Sequence, residues 1–322
     1  MEQITVSRNE AGQRLDKLLA KFLREAPKSF LYKMMRKKNI TLNGKKVQGN
    51  EMLAEGDEIR LFFSEETIQK FRGEAPKLAA VPKTKLAVVY EDEHIILINK
   101  PAGMLSQKAE PKDVSLVEYL ISYLIENGSI TEKELISFRP AVCNRLDRNT
   151  SGLVIAGKSL AGLQTMSSML KERSVRKYYR CIVKGSMQGS QHLKGYLVKD
   201  TRTNKVRIEQ TKGSDPEAKP IETEYQVLAS AGGLTLLEVH LITGRSHQIR
   251  AHLASIGHPI LGDMKYGDNS WNETYRRSHK VTHQLLHAYR LELPQIEGTL
   301  SYLSGKTFTA PMPAIYQKLV QS

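Results

Sequence analysis

Cysteine is scarce in this chain of 322 residues: Cys143 and Cys181 are the only two. A disulfide framework or a cysteine-rich metal site is therefore excluded. Long apolar runs are missing as well. The run His94-Ile95-Ile96-Leu97-Ile98 is of strand size, far short of the roughly 20 residues needed to cross a bilayer. Met1 to Glu10 have no apolar core of the kind a secretory leader carries, so a cytoplasmic protein without membrane contact is expected. Acidic residues are in deficit, with 34 Asp and Glu against 48 Lys and Arg, a formal net charge of +14. Such an imbalance favours nucleic acid or another anionic partner, although an ordinary solvated basic surface gives the same count. The histidines supply no metal pair: His247 and His252 are five residues apart on a predicted helix and point in different directions.

One tempting pattern is also discounted. Gly152 to Ser159, Gly-Leu-Val-Ile-Ala-Gly-Lys-Ser, fits the glycine and Lys-Ser spacing of a phosphate-binding loop. Such a loop needs a buried strand before its first glycine and a permissive backbone between the glycines. Here polar residues precede Gly152, and Leu153 to Ala156 prefer to be extended.

What is present falls into two parts and a join. Leu15, Leu18, Leu19, Phe22 and Leu23 recur at helical spacing, predicting a helix from about Gln13 to Glu25, which Pro27 ends. A second helix is predicted from a cap at Ser29 through Lys38. Asn43-Gly44 marks a tight hairpin, and a strand is expected at Ile59-Phe63. Between Arg24 and Lys46 there are eight basic residues and one acidic, Glu25, a local charge of +7. Lys33, Arg36, Lys37 and Lys45 are the candidate phosphate contacts within it. Ser64 to Lys85, with Gly73, Pro76 and Pro82, reads as a linker. The domain limits are thus 1–63, 64–85 and 86–322.

In the larger part, strands are expected at Leu86-Tyr90, His94-Ile98, Leu153-Ala156, Lys177-Val183 and Leu234-Leu241. Helices are expected at Leu116-Leu124, at Leu160 to about Arg173, and from the Thr243-Gly244-Arg245 turn to near Gly257. Trp271 to His283 reads as a basic loop. The segment Cys143-Asn144-Arg145-Leu146-Asp147-Arg148-Asn149-Thr150-Ser151-Gly152 crowds one carboxylate with arginines and asparagines, just before a buried strand. Loops on rigid scaffolds are frequent places for working residues. From these residues alone, a surface loop whose Asp147 pairs with Arg145 or Arg148 is an equally good reading.

Arg145-Leu146-Asp147 followed by Thr150-Ser151-Gly152-Leu153 resembles the central motif of the RluA-type pseudouridine synthases. Lys100-Pro101-Ala102-Gly103, Lys177-Tyr178-Tyr179 and Gln248-Ile249-Arg250 resemble further motifs of that family, in the right order. Asn144 departs from it, standing where the family often has His. The resemblance implies Asp147 as catalytic aspartate, Arg250 as its ion-pair partner and Tyr179 as the active-site tyrosine. Arg145 would fill the gap left when a base is extruded. It also implies an α+β catalytic domain with a mixed, largely antiparallel sheet and a central cleft. The first part resembles the alpha-L RNA-binding domain. Expected partners are RNA, large-subunit ribosomal RNA above all, and no DNA, for a chain acting as a monomer. The isomerisation neither oxidises nor hydrolyses anything, so no metal and no cofactor is expected. A non-catalytic RNA-binding assembly factor is the competing class.

Overall fold

The computed structural model describes residues 1–73, 81, 85–132, 134–200, 202–203, 205–213 and 215–320. Residues near the start form a small unit around β1 (Glu2–Thr5), α1 (Leu15–Phe22), α2 (Lys28–Arg36), β2 (Ile40–Leu42), β3 (Lys45–Lys46), β4 (Glu58–Leu61) and α3 (Glu65–Arg72). Its four strands make an antiparallel sheet in the order β1-β4-β2-β3. Leu15, Leu18 and Leu19 of α1, with Leu31 and Met35 of α2, pack with Ile40, Ile59 and Leu61 of the sheet into one buried core. The β2–β3 hairpin turns at Asn43 and Gly44, both with positive φ (49° and 74°), as the Asn-Gly pair requires.

Three expectations are corrected here. The first helix stops at Phe22, with Leu23 as its C-cap, short of Glu25. Ser29 lies inside α2 rather than capping it; Pro27 occupies the N-cap and no side chain bonds there. The expected linker begins too early, because Glu65–Arg72 is helical. Ser64 Oγ accepts from Thr67 N, two glutamates occupy the first turn, and Lys70 and Arg72 the last, which suits the helix dipole. Ile68 and Phe71 pack this helix onto the first core, with the Phe71 ring 4.6 Å from that of Phe30. Pro76 and Pro82 of the expected linker lie outside the described residues.

The larger part opens with β5 (Val88–Glu91), β6 (Ile95–Lys100) and α4 (Leu116–Glu126), then β7 (Ala141–Val142), β8 (Ser151–Gly157) and α5 (Leu160–Glu172). Next come β9 (Arg176–Lys184), β10 (Ser190–Asp200), β11 (Lys205–Glu209), β12 (Lys219–Ala231) and β13 (Leu234–Leu241). After them follow α6 (Gln248–Ser255), α7 (Asn269–His279), β14 (Leu286–Glu292), β15 (Thr307–Thr309) and α8 (Ala314–Val320). The sheet runs β11-β10-β12-β13-β9-β14-β8-β6-β5, with β7 and β15 paired at its side. Among the described residues, every pairing between these strands is antiparallel except β8 with β14, so the sheet is mixed and largely antiparallel. Leu153 to Ala156 are fully buried strand, which disposes of the phosphate-loop pattern. The presumed basic loop is in fact helix α7. Asp268 caps it, accepting from Ser270 N and Trp271 N, and Glu273 pairs with Arg276 and Arg277 one turn on.

The single parallel pairing explains a glycine. At Gly152 φ is 111°, and a Cβ there would lie 2.3 Å from Ala288 O. Only glycine lets β14 approach β8 immediately after the Asp147 loop.

Candidate active site

The loop carrying Asp147 is tied down on both sides of the carboxylate. Before it, Ser106 Oγ donates to Leu146 O (2.9 Å) and accepts from Leu146 N (3.0 Å). After it, Arg148 O accepts from Lys100 Nζ (3.1 Å) and from Gly103 N (2.9 Å). Asn144 donates to Leu153 O and accepts from Ile155 N, so the residue that departs from the family pattern still ties the loop to β8. Lys100 is entirely buried and also donates to Pro101 O and Met104 O at 2.9 and 2.8 Å. Burial pushes its pKa down to about 8, against the opposing pull of Asp147. The bend at Lys100-Pro101-Ala102-Gly103 is thus more than shape: its lysine acts as a three-point clamp on two loops.

The partner of Asp147 comes from α6. Gln248, first residue of that helix, fixes its start: Oε1 accepts from Thr243 Oγ1 and Arg245 N, and Nε2 donates to Glu222 O and Thr223 Oγ1. Arg250, two residues on, is buried, and its Nη1 donates to Asp147 Oδ2 at 2.8 Å. Its other edge forms a two-pronged pair with Asp263, Nε to Oδ2 at 2.7 Å and Nη2 to Oδ1 at 2.9 Å. Burial alone would lower the Arg250 pKa; hydrogen bonds and charge from Asp263, then Asp147, outweigh it and raise it. Asp263 is 0% exposed. Burial would raise its pKa, but the Arg250 guanidinium and the backbone N–H groups of Lys265 and Tyr266 hold it below the ordinary carboxylate range. The Asp147 side chain keeps 30% of its surface exposed, and its Oδ1 accepts no hydrogen bond among the described residues.

That exposed surface faces a cleft of about 790 Å³, whose lining includes Asp147, Arg250, Tyr179, Arg145 and His247. Tyr179 projects from β9 with Cys181 and Val183 into the main core. Burial and the charge of Asp147 raise its pKa above the usual phenol value. Its hydroxyl has no hydrogen-bond partner among the described residues. Arg145 is exposed at the cleft. Lys33, Arg36, Lys37 and Lys45 are exposed in the small first unit and line no part of this cleft.

Several site residues escaped the reading of the sequence. Asp263 completes the Arg250 pair from a loop 13 residues away. His247 stands just before α6 in a left-handed conformation (φ 57°), uncommon for a residue with a side chain. Its Nδ1 lies 2.8 Å from the Tyr266 hydroxyl, which also accepts from Val206 N, and its Nε2 lies 3.9 Å from Asp147 Oδ2. The arrangement that uses every hydrogen has Tyr266 donating to Nδ1, so that Nε2–H faces the carboxylate. Burial lowers the His247 pKa; the carboxylate of Asp147 opposes this, while Arg250 and Lys265 reinforce it. His252, by contrast, is buried against Thr223. Asp263 and Tyr266 lie in His258-Pro259-Ile260-Leu261-Gly262-Asp263 and Tyr266-Gly267, a run that also resembles the RluA-type family and is their one signal in the sequence.

The profile described as RNA pseudouridylate synthase matches residues 94–255. A protein of Vibrio vulnificus (strain CMCP6) named ribosomal large subunit pseudouridine synthase C is 31% identical, over 99% of this chain and 95% of its own. Its namesake in Escherichia coli (strain K12) is 30% identical over 90% of this chain and 87% of its own. Among solved structures, human RNA pseudouridylate synthase domain containing 4 is 22% identical, with a TM-score of 0.57, over 72% of this chain and 90% of that one. Human RNA pseudouridylate synthase domain containing 1 gives 22% and 0.52 over 76% and 98%. Both support the fold. Fold and relatives together define an isomerase whose substrate is RNA. The chain belongs to the RNA pseudouridylate synthase family, in its RluA-type branch.

Proposed function

We propose that this chain converts specific uridines of large-subunit ribosomal RNA to pseudouridine, with Asp147 working on the target nucleoside. Arg250 is its counter-ion and Tyr179 the surface on which the uracil stacks. The observation that carries this reading is the Asp147–Arg250 pair on the cleft wall, 2.8 Å apart and fixed from behind by Asp263. The ribosomal substrate is supported by the names of the two bacterial relatives.

The reaction breaks the bond from N1 to C1′, turns the uracil and joins C5 to C1′. The proton lost from C5 is balanced by one gained at N1. A carboxylate can attack C1′, steady positive charge on the sugar or remove a sugar proton, and each role needs it ionised. The Arg250 guanidinium favours that ionised form. A base in folded RNA must first leave its stack, at a cost of about a few kcal/mol that contacts in the pocket offset. The tyrosine ring provides such a contact, and its hydroxyl is available to the C5 proton. Arg145, exposed at the rim, fills the vacated place in the RNA.

The first unit acts as an alpha-L-type RNA-binding domain. Support comes from Lys33, Arg36, Lys37 and Lys45, all exposed and free of ion pairs among the described residues. The protein works as a monomer in the cytoplasm. In the decisive experiment, a large-subunit ribosomal RNA transcript is treated with wild type and with Asp147→Asn, and pseudouridines are mapped. Product is expected from wild type alone; normal product from the variant refutes the assignment.

A further inference from the structure

Among the described residues of the larger part, three lysines have almost no exposed surface, and two of them are answered. Lys100 meets three carbonyl oxygens. Lys158 pairs with Glu91 at 2.6 Å and donates to Asp92 O. The third, Lys177, is 8% exposed, yet its ammonium meets no carboxylate, carbonyl or hydroxyl among the described residues. It lines the same cleft as Asp147. Its aliphatic stem is buried while its ammonium opens onto the cleft, so a fold that answers Lys100 and Lys158 leaves this charge to whatever enters there.

Its position suggests what answers it. Lys177 and Tyr179 are two residues apart on β9, hence on one face and separated by roughly 6–7 Å along the strand. With the uracil against Tyr179 and the sugar at Asp147, the backbone of the same nucleotide passes over Lys177. Gly244 leaves the approach open: even a Cβ there would stand 3.8 Å from Lys177 Nζ. Arg173 and Arg245 line the same cleft, and Arg173 adds positive potential at the ammonium. Burial first, and that guanidinium second, lower the Lys177 pKa. An anion between the two would relieve both.

We propose that Lys177 is the seat of a phosphodiester flanking the target uridine, with Arg173 beside it. This rests on the assignment of the cleft to the target nucleoside. The cleft then grips one nucleotide at base, sugar and phosphate. Lys177 is a positioning residue whose charge is satisfied only when RNA is bound.

The test compares wild type, Lys177→Met and Lys177→Arg on a short RNA containing a uridine the wild type modifies. Companion RNAs carry an uncharged methylphosphonate at one or other linkage flanking that uridine. Lys177→Met is expected to lose about 10- to 100-fold in kcat/KM, as for a lost hydrogen bond to a charged group. Its plot of log kcat/KM against log salt should be shallower by about 0.7. Its Tm should be equal to or above that of wild type, because the ammonium makes no hydrogen bond to the described residues of the free protein. One methylphosphonate should cost wild type the same factor and cost Lys177→Met nothing further. Lys177→Arg should recover activity; a guanidinium can hold phosphate but is a poor base, which separates charge from proton transfer. Full kcat/KM in Lys177→Met, losses that multiply at both linkages, or a lowered Tm with an unchanged salt slope would each overturn the proposal. Asp147→Asn is run beside them: product from that variant defeats the assignment of Asp147, while the Lys177 comparison is still read against wild type.

Discussion

Arg250 holds two carboxylates that differ in burial, and replacing each by its amide should separate stability from chemistry. In Asp263→Asn, the side chain can still accept from Lys265 N and Tyr266 N through one oxygen. It can no longer take both prongs of the guanidinium. Breaking one side of a fully buried pair costs about 3–5 kcal/mol; the retained acceptor points to the lower end. At about 2–4 °C per kcal/mol for a unit of this size, roughly 3 kcal/mol lowers Tm by about 6–12 °C. In Asp147→Asn, Arg250 keeps its two bonds to Asp263, and the lost contact lies at a partly exposed carboxylate. The cost there is at most about 1 kcal/mol, while pseudouridine formation should vanish. Urea unfolding and product mapping on the two proteins decide the matter. Acid adds a check on sign. The Asp263 pKa is depressed in the fold, so its contribution is complete above the unfolded value of about 3.9 and is lost as pH falls through the folded value. The stability gap between wild type and Asp263→Asn should therefore narrow only in acid below about pH 4. Equal destabilisation by the two substitutions would refute this division of labour.

Tyr179→Phe should fold and bind RNA like wild type, because the hydroxyl it loses has no partner among the described residues; its rate should fall in single-turnover assays, whereas full rate would remove the hydroxyl from the reaction. Neutralising Lys33, Arg36 and Lys37 together to Gln should leave Tm unchanged, weaken RNA binding and reduce the salt slope by about 2–3; an unchanged slope in filter binding would place RNA elsewhere. Tyr266→Phe removes the donor that keeps His247 Nδ1 unprotonated, so the His247 pKa should rise in an NMR titration, and a value that stays put would show that burial alone sets it.

Contiguity decided what the chain order revealed. Arg145-Leu146-Asp147 with the apolar run behind it, the alternation around Tyr179, and Asn43-Gly44 each carry their signal within a few residues, and each lies where its pattern indicates. Helices α3 and α7 were missed for a common reason. Each presents only two apolar residues to a core, Ile68 with Phe71 and Trp271 with Tyr275, too few for a visible period. Their caps, Ser64 and Asp268, and the charges of their end turns were the signals available. Asp263 and Lys177 were hidden differently. Each lies in a run that resembles the family, but a two-pronged bond across 13 residues and an ammonium without a hydrogen-bond partner among the described residues are properties of the fold that no run of residues displays.

Why Arg250 should be shared follows from the balance of charge. A guanidinium given wholly to Asp147 would keep that carboxylate ionised but engage both its oxygens, leaving little for a sugar to meet. With Asp263 holding Nε and Nη2, only Nη1 is left for Asp147, on one oxygen. Two carboxylates against one guanidinium leave this group of three with a formal charge of −1, concentrated on the side that faces the cleft. Around it stand Arg145, Arg148, Arg173, Lys177 and Arg245, cations suited to a phosphate backbone rather than to the carboxylate. On the proposed assignment of Asp147, electrostatics of this form would draw in a polyanion while keeping one negative oxygen for its sugar, two demands that a uniformly basic cleft could not meet together.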